Sequence, residues 1–171
     1  MERITKYDIA LSFAGEDREY VDNVANLLKN NGISVFYDLF ETADMWGKDL
    51  YQYLIDVYRN KALFSVVFIS EAYKKKLWTR NVEMKAMQAR AFEENKEYIL
   101  PVRFDDTEID GVLPTTGYID LKEIDPEQLV SLIEKKLILA GRSIPSEYLR
   151  KAVSEITPIP KANPTEVIVN I

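Results

Sequence analysis

The sequence predicts an α/β domain in which a parallel, five-stranded central sheet is covered by helices on both faces. Short apolar or β-branched runs, typical of strands, alternate along the chain with longer segments whose apolar residues recur every three or four positions, typical of helices. The 171 residues suffice for one such domain and a short extension. The hydrophobic fraction of 47% and the charged fraction of 29% are ordinary for a globular protein.

The first part of the chain predicts two strands, two helices and a loop. Residues 7–14 are an apolar run that ends in small residues, and residues 33–37 are β-branched and aromatic, so both are expected to be strands. Residues 17–31 place their apolar side chains on one face of a 3.6-residue period, which predicts a helix. Residues 38–47 show no clear period and predict a long loop, after which the helical period returns over residues 48–59.

The middle of the chain predicts the central strand. Residues 62–70 are continuously apolar apart from two serines, as expected for a strand covered on both faces. The lysines at 74–76 are expected in a solvated loop. A helix follows from about residue 79 to residue 95, with Thr79 or Asn81 as its cap, and Phe92 is expected on its core-facing side.

The remaining elements complete the alternation. Residues 98–104 and 117–121 predict the last two strands, and Asp125 followed by Pro126 predicts the start of a last helix, which ends before Gly141. We therefore expect one domain over residues 1–140. Residues 141–171, with the proline-rich stretch "PIPKANP", are expected to be an extension or linker. Two alternatives stay open: it leads into a further, sensor-type domain, or its strand-like residues 165–171 dock back onto this one.

Composition excludes several classes of chemistry. The chain has no Cys and no His, so zinc–thiolate sites, thiol nucleophiles and a Ser-His-Asp triad are excluded, and no metal site is expected. Acid–base or ion-stabilising work falls to Asp, Glu, Lys or Tyr. The net charge of −6 argues against direct binding of nucleic acid or of an anionic membrane. No signal peptide is apparent, and a cytoplasmic location is expected.

Common phosphate-binding motifs are also missing. Neither GxGxxG nor GxxxxGK[ST] occurs. A receiver domain would need a phosphorylatable Asp after the third strand, where this chain has Ser70 and Glu71, so that alternative fails. In parallel sheets, ligands bind at the carboxyl ends of the strands, so we expect a site near residues 12–15, 38, 70–78 and 103–106.

Four segments in order resemble a bacterial Toll/interleukin-1 receptor (TIR) domain. They are "YDIALSFAGED", "VFYD" with the later "WGKDL", "FSVVFISEAYKKKLWTRNVE" and "YILPVRFDDTEIDGVLPTTGYIDL". The resemblance covers about residues 5–140 and implies a flavodoxin-like three-layer sandwich, in agreement with the pattern of elements. It implies one of two functions: an NAD+ glycohydrolase activated by self-assembly, as in bacterial anti-phage signalling, or a scaffold that only binds other TIR domains. We expect the first, with NAD+ as substrate, no cofactor, and the loop 38–47 taking part in TIR–TIR contacts.

The resemblance implies that Glu83 is the catalytic residue. Enzymatic members of the family are similar in carrying a Glu four residues after a Trp, whereas Glu83 is five residues after Trp78. We place the extra residue in the turn "TRN", so that Glu83 still points into the crevice. From its position alone, Glu83 is better explained as a residue that caps the helix start or complements its dipole, and only the resemblance reverses that preference.

The resemblance and the strand ends also indicate substrate-binding candidates, each with a structural alternative. Phe13 and Ala14 are candidates for substrate contact or core packing, and Asp38 for binding a ribose hydroxyl or capping a turn. Trp46 is expected to stack on a base or to lie in an interface, and Trp78 to line the nicotinamide side or to pack. Ser70 and Tyr73 are the weaker candidates.

Overall fold

A computed structural model describes residues 5–94 and 97–144 of the chain. Its five strands form one sheet in which every neighbouring pair is parallel, in the order β2-β1-β3-β4-β5. The strands are β1 (Tyr7–Ser12), β2 (Val35–Phe36), β3 (Ala62–Ile69), β4 (Ile99–Arg103) and β5 (Ile119–Asp120). This is the flavodoxin-like strand order, so the expected fold class is confirmed.

The helices fill the connections between the strands. They are α1 (Arg18–Asn30), α2 (Thr42–Met45), α3 (Leu50–Asp56), α4 (Glu71–Thr79), α5 (Val82–Glu94) and α6 (Pro126–Leu139). A 3₁₀ turn precedes α1 and another precedes α2, and a π-helical turn extends α3 as far as Lys61. The helix start predicted at Asp125 and Pro126 is confirmed, because the Asp125 side chain and Gln128 form a reciprocal capping box.

Two expected loops contain helices. Residues 38–47 hold a 3₁₀ turn and α2, and the lysines at 74–76 lie in α4. The expectation of a solvated loop at 74–76 was therefore wrong. Ser70 accepts a hydrogen bond from the backbone N–H of Tyr73 and so caps α4, which allows a helix to begin directly after β3.

The core lies on both faces of the sheet, and β3 shows how one strand serves both. Val66 and Phe68 point into the cluster that includes residues of α1 and α6, whereas Val67 and Ile69 point into the cluster beneath α5 and the π-helical turn. All four side chains are at most 1% exposed. This alternation explains the continuous apolar run of the strand, because both of its faces are covered.

The order in which strands are added to the sheet reverses at β1, because β2 lies on one side of this strand and β3 on the other. The crevice outside the carboxyl ends of β1 and β3 is therefore the topological switch point of the sheet, where ligands bind in open α/β sheets. No helix in the described ranges is long and apolar enough to cross a bilayer. The predicted extension at 141–171 lies outside the described residues except for 141–144.

Candidate active site

A cleft of about 690 Å³ opens at the switch point of the sheet. Its floor is formed by the residues that end and follow β1, including Phe13 and Ala14, and one wall is formed by α4 and the start of α5. Residues between 38 and 54 form the opposite wall. The sequence places these parts together because the carboxyl ends of parallel strands meet at the same edge of a sheet.

Glu83 lies in this cleft, in the first turn of α5. Its side chain is 14% exposed, and its Oε2 accepts a hydrogen bond of 2.6 Å from the Ser12 hydroxyl at the end of β1. The N-terminal end of a helix carries a partial positive charge that favours a carboxylate. The turn at Arg80 and Asn81 separates α4 from α5, so the residue added between Trp78 and Glu83 lies at the junction of two helices.

Lys76 pairs with Glu83 across the junction. Its ammonium lies 3.2 Å from each carboxylate oxygen and donates a third hydrogen bond, of 2.9 Å, to the backbone carbonyl of Phe13. These three bonds use all three donors of the ammonium. The Lys76 side chain is only 24% exposed, so solvent weakens the pair less than it would at the surface.

Two buried tyrosines support the floor of the cleft. The Tyr73 hydroxyl lies 2.7 Å from Ser12 Oγ, and the Tyr58 hydroxyl donates to the backbone carbonyl of Leu11 at 2.7 Å. Burial raises the pKa of both tyrosines well above the usual value, and the nearby Glu83 carboxylate adds to the effect. Both hydroxyls therefore keep their protons, and Tyr73, at 0% exposure, cannot touch a ligand.

An arginine and an aspartate face each other at the mouth of the cleft. Arg18 donates to both carboxylate oxygens of Asp38, at 2.9 and 2.7 Å, and its guanidinium lies over the Phe13 ring. Burial alone would raise the pKa of Asp38, but the hydrogen bonds and charge of Arg18 outweigh it and lower that pKa below its usual value. The two side chains thus form an ordered, charged rim beside the floor.

The structure brings together four of the residues that the sequence indicated: Phe13, Ala14, Asp38 and Glu83 all line the cleft. Tyr73 lies one hydrogen bond behind it. The other three candidates lie elsewhere.

Ser70 is buried outside the cleft and donates to Asp17 at 2.5 Å, and burial raises the pKa of that carboxyl. Trp46 is 89% exposed at the end of α2. Trp78 is 85% exposed and lines a neighbouring groove between α5 and the segment 108–114. None of these three side chains lines the cleft in this structure.

Sequence reasoning did not single out Ser12, Arg18 or Lys76, although Ser12 and Lys76 fall in the strand-end ranges 12–15 and 70–78 where a site was expected. Ser12 ends an apolar strand, where a small polar residue at a strand's carboxyl end was the available signal. Lys76 is separated by one helical junction from Glu83, and the loop expected at 74–76 hid that proximity. Among the described residues, no group of three or more acidic side chains could hold a metal ion.

Comparison with known proteins identifies relatives of this chain. A family model described as "TIR domain" matches residues 9–133. A protein named 3′ cyclic ADP-D-ribose synthase AaTIR, from Aquimarina amphilecti, is 62% identical over 135 residues, which is 79% of this chain and 41% of that protein. The 2′ cyclic ADP-D-ribose synthase BtTIR of Bacteroides thetaiotaomicron is 36% identical over 102 residues, covering 59% of this chain and 34% of that protein. The chain thus spans less than half the length of these relatives.

Solved structures share the fold. The TIR domain of the Toll-related receptor TRR-2 from Hydra magnipapillata matches with a TM-score of 0.57 and 22% identity, covering 81% of this chain and all of that one. A metazoan TIR-STING receptor from C. gigas, in complex with 2′,3′-cGAMP, matches with a TM-score of 0.59 and 14% identity, covering 78% of this chain and 41% of that one. At these identities the likeness shows the architecture alone.

Proposed function

This chain belongs to the TIR domain family, and on that premise we propose that it cleaves NAD+ at the bond between nicotinamide and ribose. The observation that carries the proposal is the Glu83 carboxylate, held in a cleft at the switch point of the sheet by Ser12 and Lys76. The names of the two relatives support it, because a cyclic ADP-ribose is what NAD+ becomes when nicotinamide leaves and the ribose closes onto another hydroxyl.

A single carboxylate suits this reaction. As the glycosidic bond breaks, its electron pair stays with the nicotinamide nitrogen, which leaves as a neutral group, and positive charge develops on the ribose, as in glycoside hydrolysis. A leaving group of this kind needs no general acid, so the absence of His is no obstacle. What lowers the barrier is a fixed negative charge close to the ribose, and Glu83 supplies it.

The acceptor decides the product. Attack by water would give ADP-ribose, nicotinamide and a proton, whereas attack by a hydroxyl of the same molecule would give a cyclic ADP-ribose, nicotinamide and a proton. In either case the hydroxyl or water proton passes through Glu83 to solvent. The name of the 62% identical relative supports closure at a 3′ position. The open cleft would then have to fold the substrate so that this hydroxyl reaches the anomeric carbon.

The other residues of the cleft would bind the dinucleotide. Asp38, oriented by Arg18, is placed to accept hydrogen bonds from a ribose, and its lowered pKa keeps it ionised at neutral pH. Phe13 offers an apolar surface on the floor, and Ala14, which is 1% exposed, lets the backbone approach the substrate closely.

Self-association would complete the site. Four large apolar side chains are exposed in the segment that forms the wall opposite Glu83, and Leu50 among them lines the cleft: Leu39, Trp46, Leu50 and Tyr51 are exposed by 54, 89, 46 and 56%. Grouped exposure of this kind is typical of interaction surfaces. We propose that a second copy covers this wall, with residues 38–47 in the contact. A role in anti-phage signalling and a cytoplasmic location remain predictions.

The test is nicotinamide release by the 171-residue protein at several protein concentrations, followed by chromatography. Glu83→Gln keeps the size and the Ser12 hydrogen bond but removes the charge. The matched control is Glu71→Gln, which removes a carboxylate from the first turn of the neighbouring helix, α4, outside the cleft. We expect release by wild type and by Glu71→Gln, and a loss of at least 100-fold in Glu83→Gln.

Equal release by wild type and Glu83→Gln would show that the carboxylate has been misassigned. Absence of release by every variant, even when the protein is fused to an oligomer, would favour the scaffold function over the enzyme.

A further inference from the structure

The two oxygens of the Glu83 carboxylate lie in different surroundings. Lys76 lies 3.2 Å from both oxygens, and within the described part of the chain Oε2 alone also accepts a short hydrogen bond, of 2.6 Å, from Ser12. Ser12 is 0% exposed and belongs to β1, an interior strand paired on both sides. Oε2 is therefore tied to an interior strand of the sheet, whereas the hydrogen bond to Oε1 comes from Lys76, a side chain that lines the cleft.

The hydrogen bonds behind Glu83 run in one direction. An ionised carboxylate only accepts, so the single proton of the Ser12 hydroxyl must be donated to Glu83. The 2.7 Å bond between Ser12 and Tyr73 then requires the proton of Tyr73. Tyr73 is wholly buried, and burial together with the charge of Glu83 raises its pKa, so this proton is retained.

We propose that Ser12 and Tyr73 are positioning residues, which fix Oε2 of Glu83 so that Oε1 is the oxygen presented to the ribose. The inference rests on the function proposed above and adds to it which oxygen acts and what holds it. Neither residue touches the substrate, because both side chains are 0% exposed. They act through Glu83, whose rotation about its side-chain bonds they restrict.

The expected effect of removing either hydroxyl is a loss of rate rather than of substrate affinity. The dinucleotide binds through the walls of the cleft, which these residues do not form, whereas the transition state requires an aimed carboxylate. A misplacement of about 1 Å in a catalytic group costs on the order of 100-fold in rate. We expect Ser12→Ala to lower kcat by about 10- to 100-fold with KM changed by less than about threefold.

The experiment measures kcat and KM for nicotinamide release by wild type, Ser12→Ala, Tyr73→Phe and the double variant. Ser65→Ala is the control for the serine, because Ser65 is equally buried, in β3, and its hydroxyl has no hydrogen-bond partner within the described structure. Tyr20→Phe is the control for the tyrosine, since Tyr20 packs on the opposite face of the sheet and donates to the Ile124 carbonyl.

Both controls should keep the wild-type kcat. The double variant should lose no more than about threefold beyond Ser12→Ala, because the two hydroxyls act as one chain. Ser12→Thr retains the hydroxyl and should recover most of the rate. The positioning role is overturned if Ser12→Ala behaves like Ser65→Ala, or if its loss appears in KM alone.

Failure of the proposed function gives a different pattern. If wild type is active and Glu83→Gln is not, but Ser12→Ala retains full rate, only the positioning role is overturned. If wild type and Glu83→Gln release nicotinamide equally, or neither releases any even when fused to an oligomer, the proposed function is wrong and the positioning role is overturned with it.

Discussion

Replacing Lys76 by Met should make the protein less stable and the proposed reaction faster. In the free protein the ammonium lies 3.2 Å from both oxygens of Glu83 and opposes the negative charge that the developing ribose cation requires. Substrate has to compete with this resident cation. Met keeps most of the length and the apolar stem of the side chain, so the substitution removes mainly the charge.

The structure allows the size of both effects to be worked out. At an effective dielectric constant of about 20, unit charges 3.2 Å apart attract each other by about 5 kcal/mol. Desolvation of the two charges offsets much of this attraction. The side chains are 24 and 14% exposed, so the pair is intermediate between surface pairs, worth about 0–1 kcal/mol, and buried pairs, whose disruption costs about 3–5 kcal/mol. Lys76→Met should therefore lower the free energy of unfolding by roughly 1–3 kcal/mol. If about 1.4 kcal/mol of the released interaction favours the transition state, kcat/KM rises about tenfold.

Urea unfolding and steady-state nicotinamide release measure the two quantities on the same preparation. Lys75→Met is the matched control, because Lys75 lines the same cleft but is 78% exposed and reaches only Glu71, at 3.9 Å. It should change stability by less than about 0.5 kcal/mol and leave the rate near that of wild type. A variant at Lys76 that loses both stability and activity would refute the reasoning and would instead place the ammonium among the groups that hold the substrate.

Three further predictions concern other parts of the molecule. Trp46→Ala should change the free energy of unfolding by less than about 0.5 kcal/mol, because the indole is 89% exposed, but it should weaken the dependence of activity on protein concentration. Phe92 is equally exposed, on α5, and Phe92→Ala should alter neither the stability nor that concentration dependence. Arg18→Met should lower stability at pH 7 by no more than about 1 kcal/mol, since Arg18 and Asp38 are both over a third exposed. Because the pKa of Asp38 is lowered, the stabilisation by the Arg18–Asp38 pair is complete above the ordinary Asp pKa of about 4 and is lost as the pH falls through the folded-state pKa. Urea titrations should therefore find a smaller stability difference between wild type and Arg18→Met at pH 3 than at pH 7. An equal difference at both pH values would contradict the assignment. Gly111→Ala should cost about 1–3 kcal/mol in the same titrations, because the backbone has φ +101° and the new Cβ would lie 2.8 Å from Met84 Sδ, whereas Gly15→Ala, with open space around it, should be close to neutral.

The architecture could be predicted because it depends on patterns local in the sequence, whereas Glu83 was indicated by the resemblance to TIR domains. Continuous apolar runs at 62–70 and helical periods around them are enough to indicate a covered parallel sheet, and Glu83 stands at the start of a period that is readily recognised. Its partners could not be predicted in the same way. Ser12 is 71 positions away along the chain, and its hydrogen bond depends on how α5 packs against the end of β1.

The orientation of α5 illustrates a second limit. Phe92 was expected on the core-facing side of this helix, but it is 89% exposed, and that expectation was wrong. Met84 and Met87 are buried together with Arg90, whose guanidinium lies over the Tyr98 ring and donates to the Ala62 carbonyl. Because a buried arginine does not register as apolar, the pattern of hydrophobic residues indicated a face rotated away from the one that packs.

The two walls of the cleft differ in construction. The wall that carries Glu83 is hydrogen-bonded through Ser12 to an interior strand, whereas the opposite wall, between residues 38 and 54, consists of a 3₁₀ turn, the four-residue helix α2 and part of α3. One wall of the cleft therefore orients the carboxylate, and the other controls entry to the cleft. Insertions or substitutions in the second wall can alter which ligands enter the cleft, and how fast, without reorienting the carboxylate. Sequence diversification within such a family can therefore concentrate on the entry wall, while the wall that carries the carboxylate is kept.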